Sequence, residues 1–229
     1  MANGQLLVQS EEATNFAAIA NTKSGQKSIF GDPSDFTEHV YNAVNATHAA
    51  VSNAFELVGQ LVDDPTRNNV MKHEAARQVY NRANQAIETG RLMLEKSADQ
   101  LQADALETTN DHFFPDPTFA GRQEATRQFI ERTASKDLAT VRQLVKDIPE
   151  VATVVFHNHS FLLGMSETMR QSMIDDAIEA HLPKVYGMIE QSQKMRRLAG
   201  SYAQANKSLK ATLFNSGLAD RASLRVNVD

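Results

Sequence analysis

The chain has 229 residues, 23 Lys/Arg against 28 Asp/Glu, and no cysteine. That length can build one large or two small domains with real cores, while the missing cysteine excludes disulfides, thiol catalysis and cysteine-ligated metals. A net charge of −5 argues against broad nucleic-acid binding, and no apolar run approaches the roughly 18 residues of a membrane span.

In chain order, residues 1–31 read as a polar N-terminal arm, with one short helix expected over Glu11–Ala20. No basic stretch followed by an apolar core marks a secretory signal, so the expected location is the cytoplasm or a virion. Ser24-Gly-Gln-Lys-Ser28 resembles the end of a phosphate-binding loop. It lacks the first glycine, the glycine directly before lysine and a preceding strand, so that reading is set aside.

From Asp32 onward, prolines punctuate the chain. Asp32-Pro33, Asp64-Pro65 and Asp116-Pro117 pair a strong N-cap with the residue best suited to the first helical position. Pro149 and Pro183 can open helices in the same way. Five segments follow: A from 33, B from 65, C from 117, D from 149 and E from 183. A and C end on similar phrases, Val58-Gly-Gln-Leu-Val62 and Val141-Arg-Gln-Leu-Val145, which suggests a hairpin repeat of 32–115 and 116–182. Segment B carries a stripe of mostly small residues, among them Ala76, Ala83, Ile87, Gly90, Leu94, Ala98 and Ala105, that lets a neighbouring backbone approach; Gly90 is also a place for a kink. Phe113-Phe114-Pro115 breaks the chain and is expected to plug the end of a bundle. Segment E keeps a strict three–four register through Val185, Met188, Ser192, Met195, Ala199, Tyr202, Asn206, Leu209 and Leu213, a coiled-coil-like seam with a polar Asn in it. Gly217 is expected to end it. The last residues, with Leu224-Arg-Val-Asn-Val228, alternate like an edge strand or docking arm.

No catalytic constellation emerges. His157 and His159 are two apart, so on a helix they point to nearly opposite sides, and only a strand would let them share a metal. A di-iron carboxylate bundle wants Glu-x-x-His pairs, and no histidine here has Glu or Asp three residues before it. No nucleophile elbow is present.

The expected fold is all-α: an elongated antiparallel bundle of about five helices (32–216, of which 183–216 is a basic helix) with extended arms at 1–31 and 217–229. The expected function is non-enzymatic, a structural subunit of a larger homo-oligomeric assembly, as in a bacteriophage virion component (capsid-associated, connector or internal protein). The rival is a cytoplasmic helical adaptor for a protein partner. No cofactor or metal site is assigned. Residues 183–229 hold 8 Lys/Arg and 3 Asp/Glu, the only basic region of an acidic chain. The candidate interaction residues therefore lie there: Lys194, Arg196, Arg197, Tyr202, Leu209, Leu213, Leu224, Arg225, Val226 and Val228. Other assembly proteins are the expected partners, with nucleic acid a less favoured one.

Overall fold

The computed structural model describes residues 6–222. Over them the chain is all helix, with ten α-helices, three short 3-10 turns and no strand. The all-α expectation holds, and the count of about five helices does not. Two compact units form. Unit 1 comprises Met1–Ser97 and Lys194–Asp229, and unit 2 comprises Ala98–Gln193. Helices α4 (Asn69–His112) and α9 (Pro183–Leu213) supply residues to both.

The short helix expected over Glu11–Ala20 is α1 (Glu11–Ala20), and a second helix, α2 (Lys23–Phe30), follows where the rest of the arm was expected to be extended. Ser10 caps the first by accepting the Ala13 N–H at 3.2 Å, and Thr22 caps the second by accepting the Gly25 N–H at 3.0 Å. Their apolar residues Ala13, Ala20 and Phe30 are buried, so the segment has a core to join and does not stand off as a tail. The phosphate-loop-like stretch is simply most of α2.

The three Asp-Pro pairs share a feature that the pairs alone do not show: the next residue is Ser or Thr. Asp32, Asp64 and Asp116 each accept the N–H of that residue (3.1, 2.8 and 2.8 Å) and its hydroxyl (2.8, 2.6 and 2.7 Å). Pro33 and Pro117 open single 3-10 turns, Pro33–Asp35 and Pro117–Phe119, before helices α3 (Glu38–Asp63) and α5 (Ala120–Ala134) begin. After Pro65 the helix waits until Asn69, where the Asn68 side chain caps Met71 N–H at 3.0 Å. Pro149 and Pro183 do open helices, α7 (Pro149–His157) and α9.

Segments C and D are each broken once, so 116–182 forms four α-helices where α3 and α4 are two. Asp137 caps Thr140 at 3.0 Å and starts α6 (Leu138–Asp147). Gly164 sits at φ 65, where a side chain would be strained and its Cβ would lie 2.8 Å from the Glu131 carbonyl oxygen. Ser166 then starts α8 (Glu167–His181) by accepting Met169 N–H at 3.2 Å. Segment E stops at Leu213, and Gly217 lies inside a further helix, α10 (Ser216–Arg221).

In unit 1, α3, α4 and α9 form the central layer. Lys72 Nζ reaches the Val62 carbonyl at 2.6 Å near the turn, and the Thr47 hydroxyl donates to the Ala86 carbonyl at 3.2 Å, so α3 and α4 run antiparallel. Along α9, Tyr202 meets Gly90, Asn206 bonds to Asn84, and the chain just beyond reaches His73, so α9 runs antiparallel to α4. In unit 2, Ile130, Val141, Val145, Val155, Leu163 and Met173 form the core with Phe113. Phe113 plugs this core while Phe114 is 69% exposed. Asp176 is buried between α8 and α6, where Arg142 and Lys146 (3.1 Å) neutralise it.

Candidate association surface

The basic stretch of α9 owes its position to the opposite face of the same helix. Tyr202, Leu209 and Leu213 are 0% exposed. Tyr202 donates its hydroxyl to the Phe30 carbonyl at 2.8 Å and packs edge-on against the Phe30 ring, 5.2 Å between centroids. Burial pushes its phenol well above the ordinary range. The Asn206 side-chain N–H donates to the Asn84 side-chain oxygen Oδ1. The predicted seam is therefore buried within the same chain, Tyr202 against Phe30 of α2 and Gly90 of α4, Ser192 against Ala98 of α4, and Val185 in the core of unit 2. Tyr202, Leu209 and Leu213 are corrected from interaction residues to core residues: apolar side chains at seam spacing are removed from water by the nearest neighbour. Leu224, Arg225, Val226 and Val228 lie outside the described residues.

Lys194 is also committed within unit 1. Its ammonium sits 2.8 Å from Asp35 and 5.9 Å from the centre of the Phe36 ring. The exposed side of the helix is formed by Arg196, Arg197, Gly200, Ala203, Gln204, Lys207, Lys210 and Ala211. The spacings 196/203/210 and 197/204/211 are seven residues, two helical turns, so these side chains share one side of the helix. No acidic residue occurs between Lys194 and Leu213. Long cationic side chains alternate with small ones, which leaves room for another helix to lie close. Sequence reading singled out Arg196 and Arg197. Lys207 and Lys210 needed one more step, the observation that they sit opposite the seam.

Elsewhere the charge has the other sign. Unit 2 holds 8 Lys/Arg against 15 Asp/Glu, a net −7, and unit 1 holds 15 against 13. Within unit 2, residues 98–116 hold five Asp/Glu and no Lys/Arg, and a second acidic group lies on α8 and the start of α9. The Tyr186 phenol is raised by Glu190 first and Glu179 next, with burial, Asp175 and Asp176 adding to it. Asp175, Glu179 and Glu190 are exposed.

No protein-family model, curated protein or solved structure matches the chain.

The remaining candidates are placed by their contacts. The His157 ring nitrogen Nε2 lies 2.7 Å from the Phe113 carbonyl oxygen, while His159 stacks on Phe161 with ring planes 15° apart. The two histidines thus serve different neighbours. Among the described residues no three His, Asp or Glu side chains are placed to hold a metal ion, and no helix is long and apolar enough to cross a membrane.

Proposed function

We propose that the chain is a non-enzymatic structural subunit of a homo-oligomeric assembly, and that the exposed basic face of α9 is one half of its self-contact. The observation that supports this is the absence of any negative charge from Lys194 to Leu213 in a chain whose unit 2 carries −7. Opposite charge steers and orients a protein contact, while apolar burial supplies most of the affinity. Charge favours a contact in which the basic face of one copy meets an acidic surface of unit 2 on the next, and we take the head-to-tail, heterologous form of it. Heterologous contacts close into rings or extend as filaments. A virion component is the finer form of this reading, supported by the cysteine-free, tryptophan-free composition and the want of catalytic motifs.

Mass in solution across a salt series tests it. The wild-type chain assembles at low salt, and Lys207→Glu with Lys210→Glu lowers the mass. A monomer at every salt and protein concentration overturns the reading, as does a charge-reversed variant that assembles like the wild type. If assembly requires added DNA, nucleic acid takes the place of the second copy.

The adaptor reading draws on a different observation. Phe114, Phe119 and Phe161 of unit 2 are 69%, 51% and 73% exposed, and large aromatic side chains left in water suit a protein partner. A stable monomer that loses capture of a cellular partner on Phe114→Ser favours the adaptor.

A further inference from the structure

His73 lies in the second turn of α4 and is 2% exposed. Its Nδ1 accepts the backbone N–H of Asn215 at 3.1 Å, from the two-residue link between α9 and α10. An accepting Nδ1 fixes the neutral tautomer with its proton on Nε2. The chain on either side of Asn215 makes further contacts. Phe214 is 3% exposed and packs on Tyr80, 5.7 Å between ring centres. The Asn215 side chain caps Leu218 N–H at 3.2 Å, and Ala219 is fully buried. Arg77 pairs with Asp220 at 2.7 Å.

A proton on Nδ1 turns the acceptor into a donor aimed at another donor. The bond is lost, and a charge is placed in a site nine-tenths closed to water. The titratable groups at this end of unit 1 include Lys72, Glu74, Arg77 and Tyr80 on α4, Asp63 and Asp64 at the end of α3, Arg67 in the turn that follows and paired with Asp64, Lys210 on α9, and Asp220 and Arg221 on α10. Lys72 is turned to the Val62 carbonyl, and Arg77 to Glu74 and Asp220. Burial alone pushes the imidazole below its ordinary 6.5, so no neighbouring charge offsets the penalty.

We propose that His73 is an acid-sensitive catch: its neutral ring holds Phe214, Asn215 and α10 against unit 1, and protonation releases them while the rest of the unit stays folded. The sign follows from linkage. The released form binds the proton more readily, so the catch is complete above about pH 6.5 and is lost as pH falls below it. Local opening of a terminal element costs less than global unfolding, so it precedes it.

The test is hydrogen-exchange protection in the intact chain between pH 7.5 and 5. Protection over 214–221 is expected to fall about tenfold or more while amides in the middle of α3 and α4 keep theirs. In His73→Gln the side-chain carbonyl accepts the same N–H without titrating, so the step should vanish. In His73→Phe the segment should be open at both pH values. Asp220→Asn should keep the step, because that carboxylate is 67% exposed and its pairing is not the catch. Independently of any variant, the His73 ring-nitrogen signal in wild type should titrate with the same midpoint as the loss of protection. Flat protection in wild type, a retained step in His73→Gln, or loosening of α3 and α4 together with α10 overturns the proposal.

Discussion

Gly90 is the point at which three helices come closest. A Cβ there would lie 2.6 Å from the Thr47 hydroxyl and 3.1 Å from the Tyr202 ring. The sequence places this glycine in the small-residue stripe, and α4 continues through it. Gly90→Ala should cost about 1–3 kcal/mol by overpacking, measured by urea unfolding; a neutral result would mean that the notch is not filled. Tyr202→Phe keeps the ring and strands the Phe30 carbonyl, at roughly 1–3 kcal/mol. Neither partner was legible beforehand, since Phe30 lies 172 residues away from Tyr202 and no periodic signal links the two. Asp176 shows the same limit in unit 2. Burial pushes its carboxyl up, and Arg142 and Lys146 more than offset this, leaving it below its ordinary 3.8. Its contribution to stability is therefore complete above about pH 4 and is lost as pH falls through the lowered value. Asp176→Asn should flatten the acid limb of a stability–pH curve in that range.

At the scale of elements, the periodic signals were the readable ones. The seam of α9 and the stripe of α4 are long, regular and buried where expected: Val185, Ser192, Met195, Ala199, Leu209 and Leu213 on one, Ala76, Ala83, Leu94, Ala98 and Ala105 on the other. Ala98→Leu should therefore overpack unit 2 at roughly 1–3 kcal/mol, where the Ser192 hydroxyl reaches the Ala98 carbonyl at 2.8 Å. Breaks without proline were not readable. Asp137 and Ser166 each end one run and cap the next, yet both stand in sequence that continues the helical spacing on either side. Ser166→Ala should cost about 1 kcal/mol through the lost cap, seen as a lower unfolding midpoint. A cap is a choice between two hydrogen-bond partners for one N–H, and that choice depends on tertiary packing the spacing does not contain. The candidate association surface divides in the same way. Its charge was visible in the composition, but which of its residues face water was not: the seam could serve a second copy or the same chain equally well, and here the same chain takes it.

For the whole molecule, the unequal charge of the two units sets the salt response. Screening length falls from about 10 Å at 0.1 M to about 3 Å at 1 M salt. An assembly held in register by the α9 face should lose mass over that range, and sedimentation measures it. One held by apolar contacts alone should keep or gain mass, because apolar association is not weakened by screening.

Unit 2 is one unbroken stretch, Ala98–Gln193, whereas unit 1 is made of two stretches with that insertion between them. During synthesis this orders events in time. A ribosome adds about 5–20 residues each second, so α3 and most of α4 wait several seconds for the helix that covers them. Unit 2 has all its residues before Lys194 is made, and its Ser192–Ala98 hydrogen bond joins its two ends. Closing unit 1 brings together Asn84 and Asn206, 122 residues apart, and His73 and Asn215, 142 apart, and such distant contacts form late. A nascent chain stopped at Gln193 should therefore protect unit 2 from protease while the Gly90 notch is still open. The interval is a period in which the α3–α4 face stands without the helix that covers it.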